Sequence, residues 1–204
     1  MKNIKSILAL FCALMLICLT GCGDKASNEN TSTGEYKVTH TATIKVKNHG
    51  TIELELYGET APITVANFEK LANQKFYDGL TFHRVIEGFM IQGGDPKGNG
   101  TGGSDEEIKG EFSANGVDNP ISHKRGVISM ARNSYSMDSA SSQFFIMHVD
   151  YPSLDGQYAA FGCVTKGMNV VDSVAEKTTV VDNNGTVPSG SQPIIEKVTV
   201  TAVK

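Results

Sequence analysis

The chain has 204 residues, of which 40% are hydrophobic and 20% charged, and its formal net charge is −4. This length and composition fit one domain with a sizeable core, and they exclude a coiled coil, a collagen-like repeat and a wholly disordered chain. The acidic balance argues against a broad basic surface for nucleic acid.

The first 21 residues have the pattern of a signal peptide. Lys2 and Lys5 precede an apolar run over residues 7–19, which is shorter than the roughly 20 residues needed to cross a bilayer as a helix. Residues 19–22, Leu-Thr-Gly-Cys, resemble the lipobox of bacterial lipoproteins. We therefore expect cleavage of residues 1–21 and lipidation of Cys22, although an ordinary secretory signal is the alternative. The protein would then be extracytoplasmic and anchored to the bacterial cell membrane, on a Gram-positive surface or a periplasmic leaflet.

Residues 22–36 are polar and lack apolar periodicity, so we expect a lipidated cysteine followed by a flexible tether. The folded domain is predicted over residues 37–204. Three of the four cysteines lie in the first 22 residues, and only Cys163 lies in the body. This distribution excludes a framework of intramolecular disulfides in the processed chain. Cys163 lies in an apolar run and is predicted to be a small buried side chain.

The body of the chain alternates short apolar runs with turn residues. Residues 44–56 have the pattern of a hairpin interrupted at 48–50, and a helix is predicted from Thr60 as N-cap, with Pro62 in its first turn, to Lys70. Further strands are predicted at 81–85, 89–92, 126–130, 143–147, 159–164 and 194–200, and a second helix at 168–175. We expect a mainly β fold, a closed eight-stranded barrel capped by two α-helices.

Three ordered segments carry a family resemblance. Residues 82–95, FHRVIEGFMIQGGD, are similar to the signature of cyclophilins, except that Glu87 stands where a proline is usual. Residues 126–131, GVISMA, followed by SQFFI at 142–146, form a second match, and LDG at 154–156 with FG at 161–162 forms a weaker third. The resemblance runs over about residues 42–204. It implies the cyclophilin barrel and peptidyl-prolyl cis–trans isomerase activity.

The resemblance also implies a set of site residues. Arg84 and Gln92 would be catalytic, with Gln92 orienting Arg84 and the substrate carbonyl. The substrate-binding residues would be Phe89, Met90, Phe145 and Leu154 around the proline, Ala131, Arg132 and Gln143 along the substrate backbone, and Tyr158 as an aromatic wall where many members have histidine. No metal or cofactor is implied. The expected partner is a proline-containing segment of a secreted protein, bound by a monomer.

The chemistry of prolyl isomerisation explains why a cationic donor and apolar side chains are needed at such a site. An Xaa–Pro bond rotates slowly because twisting it sacrifices amide resonance, at a barrier of about 20 kcal/mol. A donor aimed at the prolyl nitrogen stabilises the electron pair that the twist releases, and arginine offers several donors without losing its charge. An apolar pocket would hold the ring and exclude water.

Each assignment has a structural alternative. Considered alone, Arg84 would be a surface charge, and Phe89, Met90 and Phe145 would be core residues. His83 permits a general-base interpretation, but a structural hydrogen-bonding role is preferred. Residues 98–103, GNGTGG, match the spacing of a dinucleotide-binding loop, yet the acidic stretch 105–107 follows and the strand–loop–helix context is missing.

Besides Glu87 and Tyr158, the chain departs from the family pattern at three places. Ser153 occupies the position where human-type members place a tryptophan that helps bind cyclosporin, so we expect weaker cyclosporin binding. Arg132 stands where asparagine is common, and the serine-rich loop 133–141 is about two residues longer than usual. Two other functions are alternatives to the isomerase. One is a proline-binding or chaperone module with incidental catalysis. The other is a solute-binding lipoprotein, which fits poorly because the sequence lacks a two-lobed α/β pattern.

Overall fold

Eight β-strands and two α-helices form the regular structure of residues 36–204, the part of the chain that the computed structural model describes. The strands are β1 His40–Val46, β2 Gly50–Leu56, β3 Phe82–Ile86, β4 Met90–Gly93, β5 Val127–Met130, β6 Phe144–Met147, β7 Ala160–Lys166 and β8 Ile195–Ala202. Helix α1 is Pro62–Asn73 and α2 is Met168–Lys177, with 3₁₀ turns at Ser113–Asn115 and Pro152–Leu154. The predicted signal peptide 1–21 and the predicted tether as far as residue 35 lie outside the described residues. No helix of residues 36–204 is long and apolar enough to cross a membrane.

The strands form one curled sheet in the order β3-β4-β6-β5-β7-β2-β1-β8. The predicted fold class, mainly β with two helices, is confirmed. Closure of the barrel is less complete than predicted, because the end strands β3 and β8 are joined only at the isolated bridge between Thr81 and Ile194. Most of the free edge of β3 is covered by a loop instead: Val85 N–H donates to the Gly185 carbonyl at 2.8 Å, and Val187 N–H donates to the His83 carbonyl at 3.0 Å.

The main core lies inside the curled sheet. Phe68 of α1 is fully buried, and its ring centroid lies 5.1 Å from that of Tyr77, 5.6 Å from that of Phe144 and 5.3 Å from that of Phe161. Aromatic pairs at such distances stabilise a core beyond the area that they bury. Helix α1 thereby closes one end of the sheet, as the helical spacing of its apolar residues predicts.

A second hydrophobic cluster lies apart from the main core. Met90, Phe145, Met147 and Cys163 contribute to it from the strands. Every residue of β5 and β6 is buried, so these strands are covered on both faces. Cys163 is 1% exposed, as predicted, and burial raises the pKa of its thiol to about 11. This cluster supports the residues of the candidate site.

The N-terminus of α1 is capped by a residue far away in the sequence. The predicted N-cap, Thr60, is wrong: the N-cap is Ala61, whose side chain makes no capping hydrogen bond. The buried Glu111 carboxylate accepts the Ile63 N–H at 3.0 Å, the Thr64 N–H at 2.8 Å and the Thr64 hydroxyl at 2.7 Å. These bonds satisfy donors that a helix start leaves unpaired, and the negative charge suits the positive end of the helix dipole.

We expect Glu111→Ala to lower the free energy of unfolding by about 2–4 kcal/mol, because it leaves buried donors unsatisfied and removes charge-assisted hydrogen bonds. Urea unfolding followed by circular dichroism measures this change. Glu107→Ala is the matched control, since Glu107 is exposed and a surface substitution changes stability by about 0.5 kcal/mol or less. Equal unfolding midpoints for the two variants would contradict the capping role of Glu111.

Candidate functional site

The sheet register brings four residues from distant parts of the sequence into one row. Arg84 on β3 pairs with Gln92 on β4, Gln92 pairs with Phe145 on β6, and Phe145 pairs with Ser129 on β5. Directly paired residues point to the same face of a sheet. The row therefore places a cation, an amide and an aromatic ring side by side.

The Arg84 guanidinium is half-buried and held at two of its nitrogens. Nε donates to the Asn184 carbonyl at 2.8 Å, and Nη1 donates to Gln92 Oε1 at 3.1 Å. Nη2 has no hydrogen-bond acceptor among residues 36–204. Burial lowers the pKa of Arg84, while Tyr158 and Asp182 act in the opposite direction. Arginine remains protonated in proteins, so the site contains a permanent cation whose Nη2 can donate to a substrate.

Two glutamine side chains continue the hydrogen bonding away from Arg84. Gln92 Nε2 donates to Gln143 Oε1 at 2.9 Å, and Gln143 Nε2 donates to the Gly102 carbonyl at 2.7 Å. Because Gln92 turns its oxygen to the guanidinium, its NH₂ group must face Gln143. The orientation of both amides is therefore set by the charge of Arg84.

A small cleft opens beside this hydrogen-bonded chain, and we call it the Phe145 cleft. Its volume is about 140 Å³, close to that of an apolar cavity that accommodates benzene. It is lined by Arg84, Phe89, Met90, Gln92, Ala131, Arg132, Phe145, Leu154 and Tyr158. The structure thus brings together nine of the ten site residues expected from the family resemblance.

The tenth residue, Gln143, borders a second opening, which we call the Gly100 cleft. This cleft has a volume of about 380 Å³ and shares Gln92, Ala131 and Arg132 with the first. Gly100–Ser104 form one side of it, and loop residues Asn133 and Ser139 contribute to another. The two clefts adjoin each other, because they share these lining residues.

The glycine-rich loop beside the Gly100 cleft is folded around a carboxylate of the protein itself. Asp95 is 1% exposed and accepts the N–H groups of Lys97 at 2.8 Å, Asn99 at 3.0 Å and Gly100 at 2.6 Å. Burial alone would raise the pKa of Asp95, but these donors lower it. Because the loop amides already bind this carboxylate, they do not form a phosphate cradle.

Phe89 is positioned by a tight turn between β3 and β4. Gly88 has φ of 74°, a left-handed conformation that favours glycine. His148 fixes the turn through two hydrogen bonds. Its ring Nδ1 accepts the Gly88 N–H at 3.0 Å, and its backbone N–H donates to the Phe89 carbonyl at 2.9 Å. The Tyr151 ring packs on Phe89 with centroids 4.6 Å apart. Tyr151, which lies two residues before Ser153, is not among the site residues expected from the sequence.

A buried histidine supports Phe145 from below. The His123 ring stacks on Phe145 with centroids 6.0 Å apart and an interplanar angle of 17°. Its Nδ1 lies 3.0 Å from Asp155 Oδ1, and its Nε2 lies 3.2 Å from Ser129 Oγ. Burial lowers the pKa of His123, against the effect of Asp155. Ser129 is completely buried, so this Ser-His-Asp arrangement is structural and cannot present a nucleophile to substrate.

His83 has neither of the roles weighed from the sequence. The residue is 4% exposed, and neither ring nitrogen makes a hydrogen bond of normal geometry within residues 36–204. The residue does not line the Phe145 cleft, so it is not placed as a general base. Burial lowers the pKa of His83, which favours the neutral ring.

Comparison with known proteins agrees with this geometry. Residues 41–203 match the family model described as cyclophilin type peptidyl-prolyl cis-trans isomerase/CLD. The chain is 52% identical over 124 residues to peptidyl-prolyl cis-trans isomerase B of Bacillus subtilis, which covers 61% of this chain and 82% of that protein. It is 48% identical over 144 residues to a peptidyl-prolyl cis-trans isomerase of Helicobacter pylori, covering 70% and 84%.

A solved structure shows the same fold. The cyclophilin type peptidyl-prolyl cis-trans isomerase of Cryptosporidium parvum, crystallised in the presence of the dipeptide Ala-Pro, superposes with a TM-score of 0.69 and 29% identity. The match covers 80% of this chain and 99% of that one. By its fold and by the sequence match over most of its length, the chain belongs to the cyclophilin-type peptidyl-prolyl cis–trans isomerase family.

Proposed function

We propose that this isomerase accelerates rotation about Xaa–Pro bonds in secreted or surface proteins, with Arg84 as the catalytic donor and the Phe145 cleft as the proline pocket. The observation that supports this most is that Nη2 of Arg84, which lines a ring-sized cleft, has no acceptor among residues 36–204. All the residues involved come from one chain, so the proposal requires only a monomer.

The proposed step is a twist without any covalent intermediate. As the amide rotates, resonance is lost and the electron pair localises on the prolyl nitrogen. The Arg84 N–H groups then donate to that nitrogen, an interaction made in the twisted state and absent from the planar one. A charge-assisted hydrogen bond contributes about 1.5–3 kcal/mol, and more in a preorganised site. Interactions specific to the transition state are the ones that raise the turnover rate.

The remainder of the acceleration is assigned to the cleft. Phe89, Met90 and Leu154 surround the space beside Phe145, and an apolar wall removes the water that stabilises the planar, more polar amide. Reaching about 10³ turnovers per second requires lowering the barrier by about 7 kcal/mol in total. The hydrogen bond from the cation does not supply that amount alone, so the cleft must contribute the rest.

Gln92 is proposed to orient Arg84 and the substrate carbonyl, and Ala131, Arg132 and Gln143 to hold the substrate backbone. The support is positional: Gln92 accepts a hydrogen bond from Arg84 directly, Ala131 and Arg132 line both clefts, and Gln143 lines the Gly100 cleft. Tyr158 completes the aromatic wall, since its ring is edge-on to Phe145 with centroids 5.7 Å apart.

We expect Arg84→Ala to reduce kcat/KM at least tenfold in a protease-coupled prolyl-peptide assay, because the donor to the prolyl nitrogen is lost. Arg84→Lys keeps the charge but loses the fork that bonds Gln92 and Asn184 together, so its kcat/KM should fall between those of the wild type and the alanine variant. Near-ultraviolet circular dichroism controls for folding. Unchanged turnover in a folded Arg84→Ala protein would overturn the role of Arg84.

The cellular setting is proposed from residues outside the described part of the chain. A lipid on Cys22 would hold the domain at the outer face of the cytoplasmic membrane or in a periplasmic leaflet, where secreted chains fold. A diacylglyceryl group has two acyl chains, and two chains anchor a protein stably where one does not.

We expect Cys22→Ser to move the protein from the membrane fraction to the soluble extracytoplasmic fraction and to abolish incorporation of a labelled fatty acid, because the serine hydroxyl does not form the thioether. Cys18→Ser, a second cysteine in the same apolar region, serves as the control and should leave both readouts unchanged. Membrane retention and labelling of Cys22→Ser would contradict the proposed anchor.

Ser153 leads to a separate proposal about inhibition. It is exposed at the rim next to Leu154, where human-type family members have a tryptophan that helps bind cyclosporin. We expect Ser153→Trp to lower the inhibition constant for cyclosporin at least tenfold, because an indole buries large apolar area against the ligand. Inhibition of the wild-type protein at nanomolar cyclosporin would contradict this proposal.

A further inference from the structure

The Arg132 guanidinium is held in place by two aromatic rings and two backbone carbonyls. It lies 4.9 Å from the Tyr158 ring centroid and 5.3 Å from that of Phe112. Nε donates to the Gln157 carbonyl at 3.1 Å, and Nη1 donates to the Asn133 carbonyl at 3.0 Å. Two cation–π contacts and two hydrogen bonds restrict the Arg132 side chain much more than that of a fully solvated arginine. Its Nη2 has no acceptor among residues 36–204.

Arg132 and Arg84 make the Phe145 cleft positive. Among the nine residues that line the cleft, these two are cations and none is a carboxylate. Outside the lining, Asp155 accepts from Ser122 and His123, Asp182 accepts the N–H groups of Asn184 and Thr186, and Glu107 borders the adjoining Gly100 cleft. The cleft therefore has a sign opposite to the net charge of −4 of the whole chain.

We infer that this cleft selects clients with a carboxylate side chain on the residue directly before the proline, and disfavours lysine or arginine there. This inference rests on the proposed function and deepens it. The residue before proline is bonded to the nitrogen that Arg84 faces, so its side chain leaves the backbone at the mouth of the cleft, where Arg132 stands. Arg84 donates to the prolyl nitrogen, whereas Nη2 of Arg132, which has no acceptor among residues 36–204, is open to an anionic side chain.

The expected size of the preference follows from the solvent exposure of Arg132. Arg132 and the mouth of the cleft are partly open to solvent, and ion pairs in such positions are weak and screened by salt. We therefore expect a two- to fivefold effect on kcat/KM, about the range that exposed ion pairs reach. The effect should vanish at high ionic strength, which distinguishes charge from shape.

The test uses the full chain in a non-ionic detergent and three matched peptides that differ only before the proline, where they have Glu, Gln or Lys. Exchange NMR measures kcat/KM for isomerisation of each peptide. For the wild type at about 0.02 M salt we expect the order Glu, Gln, Lys, with Glu two- to fivefold above Gln, and loss of the difference at about 0.5 M salt.

Variants separate the charge of Arg132 from its packing. Arg132→Gln should reduce the Glu/Gln ratio at least twofold, whereas Arg132→Lys, which keeps the charge, should retain most of it. Lys197→Gln removes one charge on the exposed side of β8 and should leave the ratio unchanged. Because each ratio compares two peptides on one enzyme, a general loss of activity cancels.

The outcomes distinguish the two levels of the proposal. Equal rates for the Glu and Gln peptides, or a Glu preference that persists in Arg132→Gln, would overturn the charge inference while leaving the isomerase function intact. Failure to accelerate any of the three peptides would overturn the proposed function itself.

Discussion

The site depends on one ordered chain of hydrogen bonds, from Arg84 through Gln92 and Gln143 to the Gly102 carbonyl. Each amide in it has a single orientation, because an arginine can only donate and its neighbour must accept. The Asn184 carbonyl fixes the same guanidinium from the other side. A half-buried cation is costly unless its donors are satisfied, and here Nε and Nη1 have acceptors while Nη2 has none in the described part of the chain. Rigidity and an unused donor are thus properties of the same arrangement.

This arrangement depends in turn on strands β5 and β6, which are covered on both faces. The inner face carries the aromatic core around Phe68, and the second cluster around Phe145 and Met147 packs elsewhere on the strands. Had the strands alternated apolar and polar residues, as β1 does, the space beside Arg84 would open to water. The stacked His123 ring and its bond to Asp155 then keep Phe145 in place. The apolar wall and the cation are therefore supported by different contacts.

The sequence predicts the strands well, because they are encoded locally, whereas the site residues follow from the family resemblance, and nine of the ten lie around one cleft. Apolar runs bounded by glycine mark the strands, and the segments 82–95 and 126–146 contain most of the residues that meet in the Phe145 cleft. The misses all involve partners distant in sequence. Glu111 caps a helix that begins 49 positions earlier at Pro62, Asn184 supports Arg84 from 100 positions away, and Tyr151 packs on Phe89. Such contacts leave no periodic pattern, and the partial closure of the barrel reflects the loop that occupies the edge of β3.

The position of β8 has a consequence for the order of events during synthesis. β8 pairs along nearly the whole of β1, so the first strand of the domain completes its ladder only with the last. The loop that supplies the Asn184 carbonyl also lies late in the chain. Chains emerge from the ribosome N-terminus first, and contacts between distant segments form slowly. In a nascent chain β1 therefore keeps an unpaired edge until β8 has been made, and Arg84 lacks the carbonyl that holds its Nε until residue 184 has been made.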